Sequence, residues 1–178
     1  MSRTVDIYVP LDARDAPNAE VWPVAVRQLD ALVKVIRSLG WEPRVLNPDK
    51  FVSSVAEGLR VIKRAKGERL INFMAGWTYP DFSVSPMWQL PRDMPKLMLG
   101  SSIPDFPGNV GLLATAAGLA QVGIKTSRLF VEHFDEPESY APAVEAFLEN
   151  GVYVHPSPRP IDVPVTEADA AAAKEAAA

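Results

Sequence analysis

Short runs of β-type residues alternate with longer helical stretches along most of this chain. The short runs are rich in Val, Ile, Leu and Phe, which favour strands. The stretches between them repeat their apolar residues at the three- and four-residue spacing of a helix face. Five runs of the first kind and five of the second predict βαβ units, in which a parallel sheet is covered by helices on both faces.

The fold class follows from this alternation. We predict an α/β domain of three layers over residues 1–150, with a doubly wound parallel sheet of flavodoxin-like or Rossmann-like type. Ser85 and Asn109 are the predicted caps of the third and fourth helices, and Pro142 is expected in the first turn of the fifth. The predicted strands cover residues 5–9, 44–46, 69–74, 96–99 and 128–132, and the helices cover 22–39, 51–62, a short segment from 85, 109–122 and a segment around 144–148.

Residues 151–165 read as a proline-rich linker, because each proline disfavours helix at the residue before it. Thr166 and Asp169 then resemble the start of a capped helix that continues to residue 178. Two interpretations remain open for this segment. It is either a frayed end, since an isolated helix of this length is marginal in water, or the first helix of a further domain that this chain lacks.

Composition excludes several classes of function. The chain has no cysteine, which rules out disulfides, thiolate metal sites and a cysteine nucleophile. Its net charge is −4 with both signs interspersed, so nucleic acid is a poor partner. No apolar run reaches the length of a membrane span and acids interrupt the first residues, so we expect no membrane partner and a cytoplasmic location. The acids near His133 are sequence neighbours, not spaced ligands, so we expect no metal site. No Ser-His-Asp arrangement and no acid/base pair of carboxylates stands out, so we expect no catalytic residue.

Ligands of open parallel sheets bind beyond the carboxyl ends of the strands. Arg14 follows the first predicted strand and offers a planar fork of donors. Trp77 and Tyr79 follow the third strand, and a loop tryptophan can form a flat apolar wall against a sugar. Asp105 and Asn109 follow the fourth strand. We therefore predict that these five residues contact a substrate.

Each of these candidates also has a purely structural interpretation. Arg14 could be a surface arginine that pairs with Asp12 or Asp15. Trp77 could be a core aromatic residue under its loop, and Tyr79 could serve packing alone. The turn before the fourth helix could be an ordinary helix start rather than an anion cradle, since it lacks the glycine spacing of a dinucleotide or phosphate loop.

Three segments resemble the N-terminal region of the L-fucose isomerase and L-arabinose isomerase superfamily, and more closely its fucose side. They read VPLDAR, INFMAGWTYPD and LMLGSSIPDFPGNVGLLATAAGLAQVGIK. The similarity covers roughly residues 5–135 and is most specific over 97–124. The first segment departs from the family pattern, because DAR stands where the family has DGR.

The resemblance implies an aldose–ketose isomerase that uses a divalent cation, typically Mn²⁺. It implies that the ligands come from later domains absent from this chain, so the chain itself is expected to bind no cofactor. It also implies a homo-oligomer, in which this domain covers the monosaccharide in a neighbour's active site. Trp77 would then stack on the sugar, and Arg14 would make a polar contact.

Two other functions remain open at this point. The chain could be a stand-alone sugar-binding or partner-docking α/β module without catalytic activity. It could also be a flavin- or nucleotide-binding protein of flavodoxin type, although the loop after its first strand lacks a phosphate cradle rich in glycine, serine or threonine.

Overall fold

The computed structural model describes residues 3–105 and 107–154. Within them, five strands and five helices alternate strictly along the chain. The elements are β1 (Thr4–Tyr8), α1 (Asp15–Ser38), β2 (Glu42–Val45), α2 (Val55–Ile62), β3 (Arg69–Met74), α3 (Asp81–Met87), β4 (Lys96–Ser101), α4 (Gly108–Gln121), β5 (Ser127–Val131) and α5 (Pro137–Asn150).

The five strands form one sheet in the order β2-β1-β3-β4-β5, and every pair of neighbours is parallel. This order is that of flavodoxin-like doubly wound folds, and the predicted fold class is confirmed. The predicted helix from Thr166 lies outside the described residues, as does most of the predicted linker. None of the described helices is long and apolar enough to cross a membrane.

Two apolar layers hold the helices on the sheet. Alternate strand residues point to opposite faces, so Ile71 and Phe73 of β3 join one layer while Leu70 and Met74 join the other. The first layer packs beneath α1 and α5, and the second beneath α2, α3 and α4. The sheet is therefore buried on both faces, which is why its strands read as continuous apolar runs.

Several helix ends differ from the sequence prediction. The predicted caps are wrong, because α3 begins at Asp81 after Pro80 and α4 begins at Gly108 after Pro107. Neither helix has a side-chain cap, so a capping side chain is not what sets where they begin. Pro142 lies beyond the first turn of α5, because the helix already begins at Pro137.

Pro86 lies inside α3 and removes the N–H that would bond to the carbonyl of Phe82. The buried phenol of Tyr8, at the end of β1, donates its hydrogen bond to this same carbonyl oxygen. Gly58 of α2 lies beside the contact, and a side chain at this glycine would overlap the Tyr8 hydroxyl and come within 2.7 Å of the Pro86 ring. A strand residue thus satisfies the acceptor that the proline leaves free.

Replacing this phenol tests the contact. We expect Tyr8→Phe to lower the free energy of unfolding by about 1–3 kcal/mol, because the Phe82 carbonyl stays buried and loses its donor. Tyr140→Phe is the matched control, since the Tyr140 hydroxyl is also buried but lies 3.4 Å from its acceptor, the carbonyl oxygen of Phe134. Urea unfolding would measure both variants, and an equal loss in the two would contradict the assigned role of Tyr8.

Candidate functional site

The chain reverses its direction of travel across the sheet between β1 and β3. From β1 it moves outward to β2, and from β3 it moves the other way to β4 and β5. The loops after β1 and β3 therefore flank a switch point at the carboxyl edge of the sheet, which is the position where doubly wound sheets bind ligands. Arg14 follows β1, and Trp77 and Tyr79 follow β3.

The loop after β3 alternates buried and exposed residues. Gly76 and Thr78 are buried, whereas the side chains of Trp77 and Tyr79 are 42% and 40% exposed. The Thr78 hydroxyl donates to the carbonyl oxygen of Leu11, in the loop after β1, at 3.2 Å. The buried residues therefore fix the loop, and the two aromatic residues project from it.

Two glycine contacts hold the same loop from its sides. A Cβ atom on Gly76 would lie 2.9 Å from a methyl group of Val21 on α1. A Cβ atom on Gly111 of α4 would lie 2.5 Å from the Thr78 methyl group and 3.1 Å from its carbonyl oxygen. The loop thus contacts α1 on one side and α4 on the other. Sequence reasoning missed Gly111, although its spacing of three residues from Gly108 on one helix was a visible signal.

The two exposed aromatic rings form one surface. The centroids of Trp77 and Tyr79 lie 6.5 Å apart with an interplanar angle of 85°, an edge-to-face pair. Tyr79 also packs on Phe82, with centroids 5.5 Å apart. The interpretation of Trp77 as a core aromatic residue is wrong, because its side chain reaches solvent. Tyr79 packs on Phe82 and is also exposed to solvent.

Arg14 forms a two-point ion pair with Asp12. Its Nη2 lies 2.6 Å from Asp12 Oδ2, and its Nε donates to Asp12 Oδ1 at 3.0 Å. The backbone N–H of Arg14 donates to the same Oδ1 at 2.9 Å. The structural interpretation of Arg14 as a partner of Asp12 is therefore confirmed, yet the arginine side chain stays 64% exposed while that of Asp12 is only 3% exposed.

This ion pair shifts the pKa values of both Asp12 and Arg14. Hydrogen bonds from Arg14 hold the pKa of Asp12 below its ordinary value, against a smaller opposing effect of burial. The Asp12 carboxylate in turn raises the pKa of Arg14, and Tyr79 adds a smaller contribution of the same sign.

The start of α4 supplies the other two candidates. A Cβ atom on Gly108 would overlap the carbonyl oxygen of Met74, so this helix begins directly against the end of β3. The next residue, Asn109, has a buried Oδ1 with no hydrogen-bond partner among the described residues. Asp105 lies exposed in the turn that leads to the helix. Asn109 therefore brings an unused acceptor to this edge, and Asp105 a solvent-facing carboxylate.

Other polar groups at this edge serve the fold. The Asn47 side chain bonds the backbone of Val9 in both directions and also donates to the carbonyl oxygen of Lys50. His133 is exposed, and its Nε2 lies 4.0 Å from Glu132 Oε1. Across residues 3–105 and 107–154, no three His, Asp or Glu side chains converge as a metal site would require. His155 lies outside the described residues.

Comparison with known protein families identifies the family to which this chain belongs. The profile of the family described as L-fucose isomerase, first N-terminal domain, matches residues 3–149. The chain belongs to this family. The match confirms the resemblance and spans the loops after β1 and β3, so both sides of the switch point lie within the family's domain. No curated protein matches the sequence.

The Asp12–Arg14 pair of this fucose isomerase N-terminal domain predicts a specific acid sensitivity. Since the pKa of Asp12 is lowered on folding, its stabilisation is complete above its ordinary value near 3.8 and is lost as pH falls through the lower, folded value. We therefore expect the unfolding free energy of the natural chain to fall more steeply with acid in this range than that of Asp12→Asn.

Unfolding measured by circular dichroism at a series of pH values would test this. Asp30→Asn, at an exposed position of α1, is the matched control and should leave the acid limb of the stability curve unchanged. Identical acid limbs in the natural chain and the Asp12→Asn variant would contradict the role of the pair.

Proposed function

We propose that this domain forms the rim of a sugar pocket in a metal-dependent aldose–ketose isomerase of the L-fucose/L-arabinose type. In this proposal it caps the substrate and takes part in oligomer contacts, while the residues that move protons lie elsewhere in the enzyme. The observation that carries the proposal is the exposed pair Trp77 and Tyr79 at the switch point of the sheet, at the same carboxyl edge as Arg14.

The chemistry of the three side chains suits a monosaccharide. The C–H face of a sugar ring packs on a flat indole, and the Trp77 ring is held edge-to-face by Tyr79. The Nη1 amine of Arg14 makes no hydrogen bond to the described residues and can donate to a sugar hydroxyl. Together the groups supply an apolar surface and a directional donor.

Asn109 and Asp105 would extend the polar side of the rim. The Oδ1 of Asn109 is a buried acceptor without a partner among the described residues, so a sugar hydroxyl would pair with it once the side chain turns outward. Asp105 is exposed and can accept from a second hydroxyl.

The cation belongs to the rest of the enzyme in this proposal. A bound Mn²⁺ would polarise the sugar oxygens during isomerisation. The described residues do not fit such an ion, because no three potential ligands converge among them. The role of this chain is therefore to bind and orient the sugar and to exclude water from one side.

A rim without catalytic groups needs other polypeptide to complete the pocket. Exposed tryptophan and tyrosine side chains are typical of surfaces that become buried in assemblies. We therefore include a homo-oligomer in the proposal, with the sugar at a subunit interface and further domains supplying the reaction chemistry. A cytoplasmic location fits the absence of cysteine and remains part of the proposal.

The first test is sugar binding by the chain itself. Its four tryptophans give four indole N–H signals in NMR, and single substitutions assign them. On titration with L-fucose or L-arabinose, we expect the Trp77 signal to shift with weak, millimolar-range affinity. Trp88 is the matched control, since it is 48% exposed but lies at the far end of α3. A shift of Trp88 without Trp77, or of no indole signal, would overturn the assigned site.

The second test concerns catalysis. Incubated with Mn²⁺ and either aldose, the 178-residue chain should form no ketose, because it brings together no metal ligands in its described part. Assembled into a complete isomerase, the same domain carrying Trp77→Ala should raise the KM for the sugar by about tenfold, with a smaller effect on kcat. Ketose formation by the isolated chain would refute the proposal that the residues that move protons lie elsewhere in the enzyme.

A further inference from the structure

The outer side of α4 is apolar and open to solvent. None of the 14 residues of this helix is charged, so it lacks the charged outer side that surface helices usually have. Val110 and Leu113 are 42% and 48% exposed, and Ala117 and Ala120 are exposed on the same side of the helix. We call these four residues the α4 face. An exposed apolar helix face of this kind indicates a surface that another polypeptide covers.

The α4 face is complementary to itself. Its residues are spaced by three, four and three positions, an order that is the same from either end. Two copies of α4 packed antiparallel would therefore set Val110 opposite Ala120 and Leu113 opposite Ala117. Each larger side chain then meets a small one, which lets the helices approach closely. A parallel pair would set Leu113 against Leu113 and leave the alanines facing each other.

The charges at the two ends of α4 fit the same arrangement. Asp105 lies exposed three residues before the helix, and Lys125 lies exposed four residues after it. Antiparallel packing brings the Asp105 end of one copy beside the Lys125 end of the other, and the twofold symmetry repeats this at the opposite end. The arrangement also sets the positive end of each helix dipole beside the negative end of the other.

The surroundings of these two charges strengthen the contrast. Asp105 is the only charged residue between Lys96 and Lys125 in the sequence. Lys125 lines an open groove together with Arg92, Lys96 and Arg128, and Asp93 is the single acid among the described residues that line it. One end of α4 is therefore acidic and the other basic, as a self-pairing surface requires.

We propose that two copies of this chain associate through the α4 face, with their α4 helices antiparallel about a twofold axis that passes over the middle of the helix. The inference rests on the proposed function only for the expectation of an oligomer, and it adds the surface through which two copies meet. Because this surface ends at Asp105, it brings the second copy beside the proposed sugar rim.

The contact is small, so we expect weak association. A helix of 14 residues is about 21 Å long. One pair of such helices with its flanking loops is at the lower end of specific interfaces, on the order of 1,000 Å² of total buried surface. We therefore expect a dissociation constant of roughly 10–100 μM for the natural chain.

Sedimentation equilibrium over a range of concentrations tests the association. Ala117→Glu should weaken the dimer at least tenfold, because the carboxylate would be buried against Leu113 of the second copy. Ala19→Glu is the matched control, an exposed alanine of α1, and should change the dissociation constant by less than twofold. Circular dichroism checks that both variants fold. A natural chain that stays monomeric up to 1 mM, or a dimer that Ala117→Glu does not weaken, would overturn the proposal.

Disulfide cross-linking tests the orientation, since the chain has no natural cysteine. Equal amounts of the Leu113→Cys and Ala117→Cys chains are mixed and oxidised, and the three linked products are separated by mass. We expect the mixed product to exceed both self-linked products several-fold. Ala19→Cys, on α1, measures linking by random collision. A mixed product at or below its random share of one half would contradict antiparallel packing.

The sugar site is tested separately. The Trp77 indole signal of the monomeric Ala117→Glu variant should still shift with L-fucose or L-arabinose, because Trp77 lies outside the α4 face. Loss of the dimer with this shift retained is the result expected here. A natural chain that dimerises through another surface and still shifts its Trp77 signal would refute the α4 contact and leave the sugar rim standing.

Discussion

The contact between α4 and the ends of β3 and its loop is the constraint on which the rest of the site depends. Gly108 lies against the carbonyl of Met74, and Gly111 lies against Thr78, so no larger residue fits at either position. Thr78 in turn bonds the loop after β1 through the Leu11 carbonyl. One helix therefore fixes both loops that flank the switch point, and the aromatic pair and Arg14 derive their positions from it.

A second interdependent contact holds α2 and α3, which lie on the same face of the sheet as α4. Pro86 removes a hydrogen-bond donor from α3, Tyr8 replaces it from the strand, and Gly58 leaves space for both. Three residues distant in sequence are needed for one satisfied carbonyl. The local sequence of α3 leaves the Phe82 carbonyl without a donor, and the tertiary contacts of Tyr8 and Gly58 supply one. Such agreement between local and tertiary structure is typical of sequences that specify a single fold.

The sequence was sufficient for the fold class, because apolar periodicity is a local property that the sheet preserves. The predicted bounds of the third strand equal those of β3. The starts of α3 and α4 were not predictable in this way, since neither helix has a capping side chain and α4 begins where Gly108 lies against the Met74 carbonyl. The rule for parallel sheets brought Arg14 and Trp77 to one edge, but neither the exposure of Trp77 nor the geometry of the Asp12 pair has a local signature.

Alternation of buried and exposed residues in the loop after β3 has a mechanical consequence. Gly76 and Thr78 contact α1, α4 and the neighbouring loop, so the backbone that carries Trp77 and Tyr79 cannot move without breaking those contacts. Arg14 is likewise tethered at two points. A ligand at this edge would therefore meet a surface whose backbone is already in place, and preorganisation of this kind lowers the entropic cost of binding.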